Sequence, residues 1–129
     1  RKVFNKALIK QPVIREKIGA MIAEVEAVYN WLENITYQMN NMSYNEQAKK
    51  LAGPIALLKY KATRSALYVS EQACQIFGGR AITKTGMGSI VEGFQRAIKY
   101  AAILGGSEEI MADLGVRQAM KYFPKQARL

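Results

Sequence analysis

Apolar side chains recur at helical spacing along almost the whole chain. From Ile14 they fall at Ile18, Met21, Val25, Val28, Leu32, Ile35 and Met39, in alternating steps of four and three. That rhythm draws one stripe along a long helix, with Arg15, Lys17, Glu24, Glu26 and Glu33 on its other faces. Pro12 suits the first turn, where a missing N–H costs nothing. The pattern fades at Asn40-Asn41.

Ser43-Tyr44-Asn45-Glu46 has capping-box spacing and predicts a short turn of helix. Gly53-Pro54 interrupts, and Pro54 either opens a second long helix or kinks one that began earlier. Leu58, Ala62, Ala66, Val69, Ala73 and Ile76 form its stripe, rich in alanine, which lets a neighbouring helix approach closely. Gly78-Gly79 ends it, because glycine accepts the left-handed conformation common at helix C-termini. Residues 80–88 then read as a loop.

Ser89-Ile90-Val91-Glu92 repeats the capping-box spacing ahead of a third stripe of Val91, Phe94, Ile98 and Ala101. Gly105-Gly106 breaks that stripe. Ser107 is placed to cap a last helix, with Glu108 and Glu109 in its first turn, where the helix dipole favours negative charge. Ile110, Leu114 and Met120 carry its apolar face as far as Pro124. No alternation of strand length appears, and no repeat. The fold expected is all-α, an antiparallel bundle of two long helices followed by two shorter ones, within a single domain over 1–129.

The chain has 129 residues, half of them apolar, so a packed core is within reach. It contains no histidine, which excludes Ser-His-Asp and Cys-His nucleophile activation and every histidine-ligated metal. Cys74 is the sole cysteine, so no intramolecular disulfide forms, and a reducing compartment fits. No apolar run reaches the roughly 18 residues a membrane span needs. Nineteen basic against ten acidic side chains give a formal charge of +9. Such a balance attracts phosphates, or belongs to a piece of a longer chain whose acidic residues lie elsewhere. Arg1, in place of an initiator methionine, agrees with the second reading. The basic residues are dispersed and not interleaved with aromatics, so a nucleic-acid partner is not expected.

Gly86-Met87-Gly88 imitates part of a dinucleotide fingerprint, but Val91 stands where its third glycine belongs and no apolar strand precedes it. These glycines read as punctuation. Glu92, Glu108 and Glu109 are explained as helix-start residues, without catalysis.

Three segments, taken in order, resemble the C-terminal helical domain of the acyl-CoA dehydrogenase family: Arg1-Lys2-Val3-Phe4, then Gln75-Ile76-Phe77-Gly78-Gly79, then Gly105-Gly106-Ser107-Glu108-Glu109-Ile110. Glu92 and Arg96 match a Glu-x-x-x-Arg pattern between the last two. The matches span the whole chain in the family's order and spacing. The resemblance implies a domain that has lost its leading helix, touches the FAD of a neighbouring subunit, and belongs to a homo-oligomer, a dimer or a tetramer.

It also implies roles for residues. Arg1 would offer a cation to the FAD pyrophosphate, and guanidinium geometry suits that through bidentate bonding. Phe4 would pack beside the extended cofactor, and Gln11 stands near another contact although Pro12 shifts the pattern. Gln75 and Gly79 would meet the adenine side, where a missing side chain permits close approach. Ser107 and Glu109 would contact the cofactor from a helix N-terminus, and Gly106 would contact the substrate. The family removes the α-proton of an acyl-CoA thioester while the β-hydrogen leaves as hydride to the flavin, and passes electrons to an electron-transfer flavoprotein or to oxygen. Its members work in mitochondria, peroxisomes and bacterial cytoplasm.

The base that many members carry directly before Gly-Thr falls here on Gly105, which cannot accept a proton. Some members place the base on an earlier helix of the same domain, and the resemblance then implies a base before Arg1. Glu108 is the nearest carboxylate but lies on a variable position, and reach decides before pKa. Ala97 replaces the Asp usual after the matched arginine. The expectation is therefore a domain inactive alone, its lost helix leaving an apolar strip that favours self-association. The rival is a non-catalytic helical assembly module of the same ancestry.

Overall fold

The structure, a computed structural model, describes residues 1–122, 124 and 126. It is an all-α helical bundle preceded by a very small hairpin. Strands β1 (Lys2–Val3) and β2 (Lys6–Ala7) pair antiparallel, and five helices follow: α1 (Pro12–Asn40), α2 (Tyr44–Lys50), α3 (Ala52–Phe77), α4 (Ser89–Ile103) and α5 (Glu108–Met120). The two long helices, the short one between them and the two shorter ones at the end are those the periodicity predicts. Pro12 is the first residue of α1, and Pro54 the third of α3, where no helical N–H bond is lost.

The hairpin was not expected. Its two-residue loop, Phe4-Asn5, has φ of 51° and 60°, the left-handed pair that matches strand twist in a tight turn. Sequence pattern gives no warning, because Phe is a poor choice for that conformation and two-residue strands show no alternation.

The chain folds into two compact units. The first comprises residues 1–27 and 65–99, and the second 28–64 and 100–129. In the first, Ser65, Ser70, Ala81, Gly88 and Ile98 are buried. Polar groups here are matched in pairs: Ser65 Oγ donates to Glu24 Oε2 at 2.6 Å, Lys17 Nζ to Gln72 Oε1 at 2.6 Å, and the Ser70 hydroxyl to Gln95. In the second, Ile35, Leu51, Ala56, Leu58 and Ala102 form the core.

Three predicted stripes are corrected. On α1 the inward line includes Glu24, Trp31 and Gln38, while Val25, Leu32 and Met39 are exposed. Glu24 turns inward because the Ser65 hydroxyl meets it, so hydrogen bonding overrides the polarity rule. On α4 Ala102 rather than Ala101 is buried. On α5 Ile110 is exposed and Gly115 is buried, because Gly115 lies against Leu57: a Cβ there would sit 2.4 Å from Leu57 Cδ2. A glycine carries no hydrophobic signal, so this contact was silent in the pattern.

Of the two capping boxes, one forms. The Ser43 backbone N–H donates to Glu46 Oε2 at 3.1 Å, and the Ser43 hydroxyl at 2.9 Å. Ser89 does not act this way: it is the first residue of α4, its hydroxyl donates to Gly86 O at 2.8 Å, and Glu92 instead accepts from Arg96 Nε at 2.9 Å.

Candidate functional site

In the first unit the chain start is folded back onto the end of α3. The Leu8 N–H donates to Arg1 O at 2.8 Å, which closes the hairpin base. The Arg1 guanidinium then lies over Gly78, whose φ of +62° ends α3; a Cβ on Gly78 would be 3.6 Å from an Arg1 Nη. A cation is favoured there, since the last carbonyls of a helix carry partial negative charge. Arg1 and the Gln75–Gly79 turn, more than seventy residues apart in sequence, are thus brought together.

Arg1 also lines a cavity of about 120 Å³ with Leu8, Ile76, Phe77, Arg80 and Met87. Phe4 projects from the hairpin tip, 88% exposed. Gln11 is half-buried and its carbonyl accepts the N–H groups of Ile14 and Arg15, which starts α1. Gln75 is exposed on the last turn of α3. Gly79 is also exposed, with open space where a side chain would stand. None of Phe4, Gln11, Gln75 or Gly79 lines the cavity.

In the second unit the Gly105-Gly106 loop has φ of +69° and +105°, which glycine alone adopts without strain. Ser107 caps α5 by accepting the Ile110 N–H at 3.5 Å, as its position predicts. Lys59 Nζ donates to Ala102 O at 2.6 Å and to Gly106 O at 2.5 Å. One ammonium thereby satisfies an orphan carbonyl at the end of α4 and holds the loop. Glu109 is exposed in the first turn of α5. Glu108 is buried and faces the Arg64 guanidinium at 3.7 Å. A cavity of about 460 Å³ in this unit, lined by Trp31, Ile35, Leu57 and Tyr122 among others, contains none of the expected site residues.

Sequence reasoning missed Lys59, Arg64 and Arg80. The first two act through contacts more than forty residues away in sequence, and no local motif announces them. Among the described residues no acidic or cysteine cluster could hold a metal ion, and no helix is long and apolar enough to cross a membrane.

The family described as acyl-CoA dehydrogenase, C-terminal domain, matches residues 1–120 of the chain. The chain belongs to the acyl-CoA dehydrogenase family. It is 34% identical to "Acyl-CoA dehydrogenase apdG" of Emericella nidulans over 99% of its own length and 29% of that protein's. It is 32% identical to "Acyl-CoA dehydrogenase AFT10-1" of Alternaria alternata, over 94% of the chain and 28% of the relative. "Probable acyl-CoA dehydrogenase YdiO" of Escherichia coli is 29% identical over 94% of the chain and 29% of its own length. The chain therefore spans less than a third of these relatives. No solved structure matches it significantly.

Gly105 has no side chain to offer at the loop before α5. It brings no proton acceptor to the turn before α5, and the carboxylate of neighbouring Glu108 is turned into the second unit toward Arg64. Arg1 and Phe4 are both exposed residues.

Proposed function

We propose that this chain is the C-terminal domain of an FAD-dependent acyl-CoA dehydrogenase, supplying contacts to the cofactor and part of an oligomer interface. The observation that carries the reading is the guanidinium of Arg1 lying over Gly78 at the Gln75–Gly79 turn. Two of the segments on which the family resemblance rests thereby form one surface.

The residues fit a flavin dinucleotide. Arg1 is a cation with no ion-pair partner among the described residues, suited to a pyrophosphate. Phe4 offers an exposed ring for packing, and Gly79 leaves space for backbone approach. Gln11 and Gln75 add polar side chains to the same unit. In the second unit Ser107 and Glu109 stand at the N-terminus of α5, and Gly106 is the proposed substrate contact. When bound, the flavin supplies the acceptor for the β-hydrogen of an acyl-CoA thioester. This chain's own residues bind and orient; the α-proton is taken by a carboxylate outside it, since Gly105 has none. An electron-transfer flavoprotein or oxygen would be the electron acceptor of the whole enzyme. The half-exposed apolar residues Val25, Tyr29 and Leu32 of α1 support an interface with further protein, in a homo-oligomer.

Flavin anisotropy on titrating the chain into FAD tests the reading. Saturable binding is expected, lost in Arg1→Ala, with no bleaching of flavin on adding acyl-CoA. Binding that Arg1→Ala leaves unchanged removes the cofactor assignment, and acyl-CoA-driven bleaching removes the claim that the base lies elsewhere.

A further inference from the structure

Arg80 follows the paired glycines directly, and nothing in the resemblance gives it work. Its surroundings do. Arg80 and Arg1 line the same cavity of about 120 Å³, the remaining lining residues are Leu8, Ile76, Phe77 and Met87, and no carboxylate lines it among the described residues. Neither guanidinium has an ion-pair partner among those residues, although ten acidic side chains are present in the chain. Two cationic residues thus border one small, otherwise apolar recess, a setting that favours an anion between them.

The segment that carries Arg80 is also fixed in place. Arg80 lies in the 3-10 turn Gly78–Ile82, and a second such turn, Gly86–Gly88, is pressed onto it. Gly88 is buried, and a Cβ there would be 1.8 Å from Arg80 O, so only glycine allows the two backbones to touch. The Thr83 N–H and hydroxyl both donate to the same carbonyl, at 3.4 and 2.9 Å. Ala81, the next residue, is buried and anchors the turn. A backbone held at this many points presents its side chain at low entropic cost.

We infer that Arg80 is the second cation of a diphosphate clamp, closing with Arg1 on a nucleoside diphosphate and selecting it over a monophosphate. The inference rests on the cofactor reading above and deepens it: it assigns a further cation, Arg80, to the site. Two guanidinium forks can each take one phosphate of a diphosphate in bidentate fashion, whereas a monophosphate satisfies only one. The apolar remainder of the recess then meets the less polar part of the nucleotide.

The test is a titration of the isotope-labelled chain with ADP, AMP and inorganic pyrophosphate, followed by NMR at the Arg Nε–H signals and the Gly78 and Gly79 amides. ADP is expected to bind about tenfold more tightly than AMP, and pyrophosphate to shift both arginine signals, as two charge-assisted contacts predict against one. Arg80→Ala should bring ADP down to the affinity of AMP, and Arg80→Lys should restore part of the difference. Lys84→Ala removes a charge from the same loop without touching the cavity and should leave the ratio intact. An unchanged Gly88 amide signal in each variant reports that the turn is still folded.

If Arg1→Ala abolishes ADP binding while Arg80→Ala leaves the ADP-to-AMP ratio unchanged, the clamp is wrong and the cofactor reading stands. If Lys84→Ala lowers the ratio as much as Arg80→Ala, diffuse charge accounts for the selectivity and the clamp is again wrong. If neither ADP nor pyrophosphate shifts any of these signals, both fall together.

Discussion

Lys59 Nζ donates to the carbonyl of Gly106 at 2.5 Å, across a sequence separation of 47 residues. The same ammonium reaches Ala102 O, so a side chain in the middle of α3 ties the end of α4 to the loop that opens α5. Charge-assisted bonds of this kind, partly buried, contribute about 1.5–3 kcal/mol where water cannot replace them fully. Lys59→Met keeps the aliphatic stem and removes the donor. We expect it to lower unfolding free energy by about 2 kcal/mol in urea denaturation, and to accelerate hydrogen exchange at Gly106 and Ser107 relative to the core of α3. A variant with wild-type stability and exchange would show that water satisfies these carbonyls equally well.

Gly115 against Leu57 sets two effects in opposition. Alanine in place of a mid-helix glycine gains about 1 kcal/mol of helix propensity. Its Cβ would fall 2.4 Å from both Cδ2 and Cγ of Leu57, and the branch point cannot swing away as a chain end could. Overpacking of that kind costs about 1–3 kcal/mol and should win, leaving Gly115→Ala destabilised in the wild-type background. In a Leu57→Ala background the obstacle is gone, and the same substitution should become stabilising. A double-mutant cycle in chemical denaturation reads the sign change directly; equal effects in both backgrounds would remove the contact from the account of α5.

How much of this was legible beforehand depends on the range over which each feature acts. Helix positions and ends were, because Pro12, Ser43, Gly78 and Ser107 act within one turn of where they stand. The inward faces were less so: Glu24 is drawn in by a hydroxyl on another helix, and Gly115 is buried by virtue of having no side chain. Of the expected cofactor residues, Arg1 and the Gln75–Gly79 turn are brought together. The staple through Lys59 and the recess shared by Arg80 depend on which distant segments meet, and spacing in one sequence does not encode that. The second capping box failed for a related reason, since a four-residue motif cannot tell that Gly86 O and Arg96 compete for its two side chains.

The first capping box has a pH signature. The Ser43 hydroxyl and backbone N–H, with Lys50 beyond them, stabilise the Glu46 carboxylate and hold its pKa below the usual range. A carboxyl that is more acidic in the fold than in the unfolded chain favours the fold when ionised. The contribution is therefore complete above roughly pH 4.3, the ordinary glutamate value, and disappears as pH falls through the lowered folded one. NMR titration should give Glu46 a pKa below the ordinary glutamate value, and Ser43→Ala should raise it toward that value. Glu46→Gln should flatten the acid limb of exchange protection at the start of α2. A Glu46 pKa at the ordinary value in the wild-type chain would contradict the cap.

Phe4 occupies a left-handed backbone position that glycine or asparagine would fill with less strain, and it leaves its ring exposed. Such a conformation costs a bulky residue about 1–3 kcal/mol, and an exposed ring recovers little of that by burial. A residue unfavourable to its own turn is explained if the ring serves a ligand rather than the fold. Phe4→Gly separates the two. Glycine accepts φ near +50° without strain, though it adds conformational entropy to the unfolded chain, so a net gain of about 1 kcal/mol is expected in thermal unfolding. Flavin affinity, measured by anisotropy on the same protein, should move the other way and weaken. Phe4→Leu controls for bulk: it retains the backbone strain, gains no stability, and loses the ring. If Phe4→Gly gains stability and binds FAD as the wild type does, the ring has no part in holding the cofactor. If it loses stability, the hairpin draws on contacts of the ring and the strain argument is overturned.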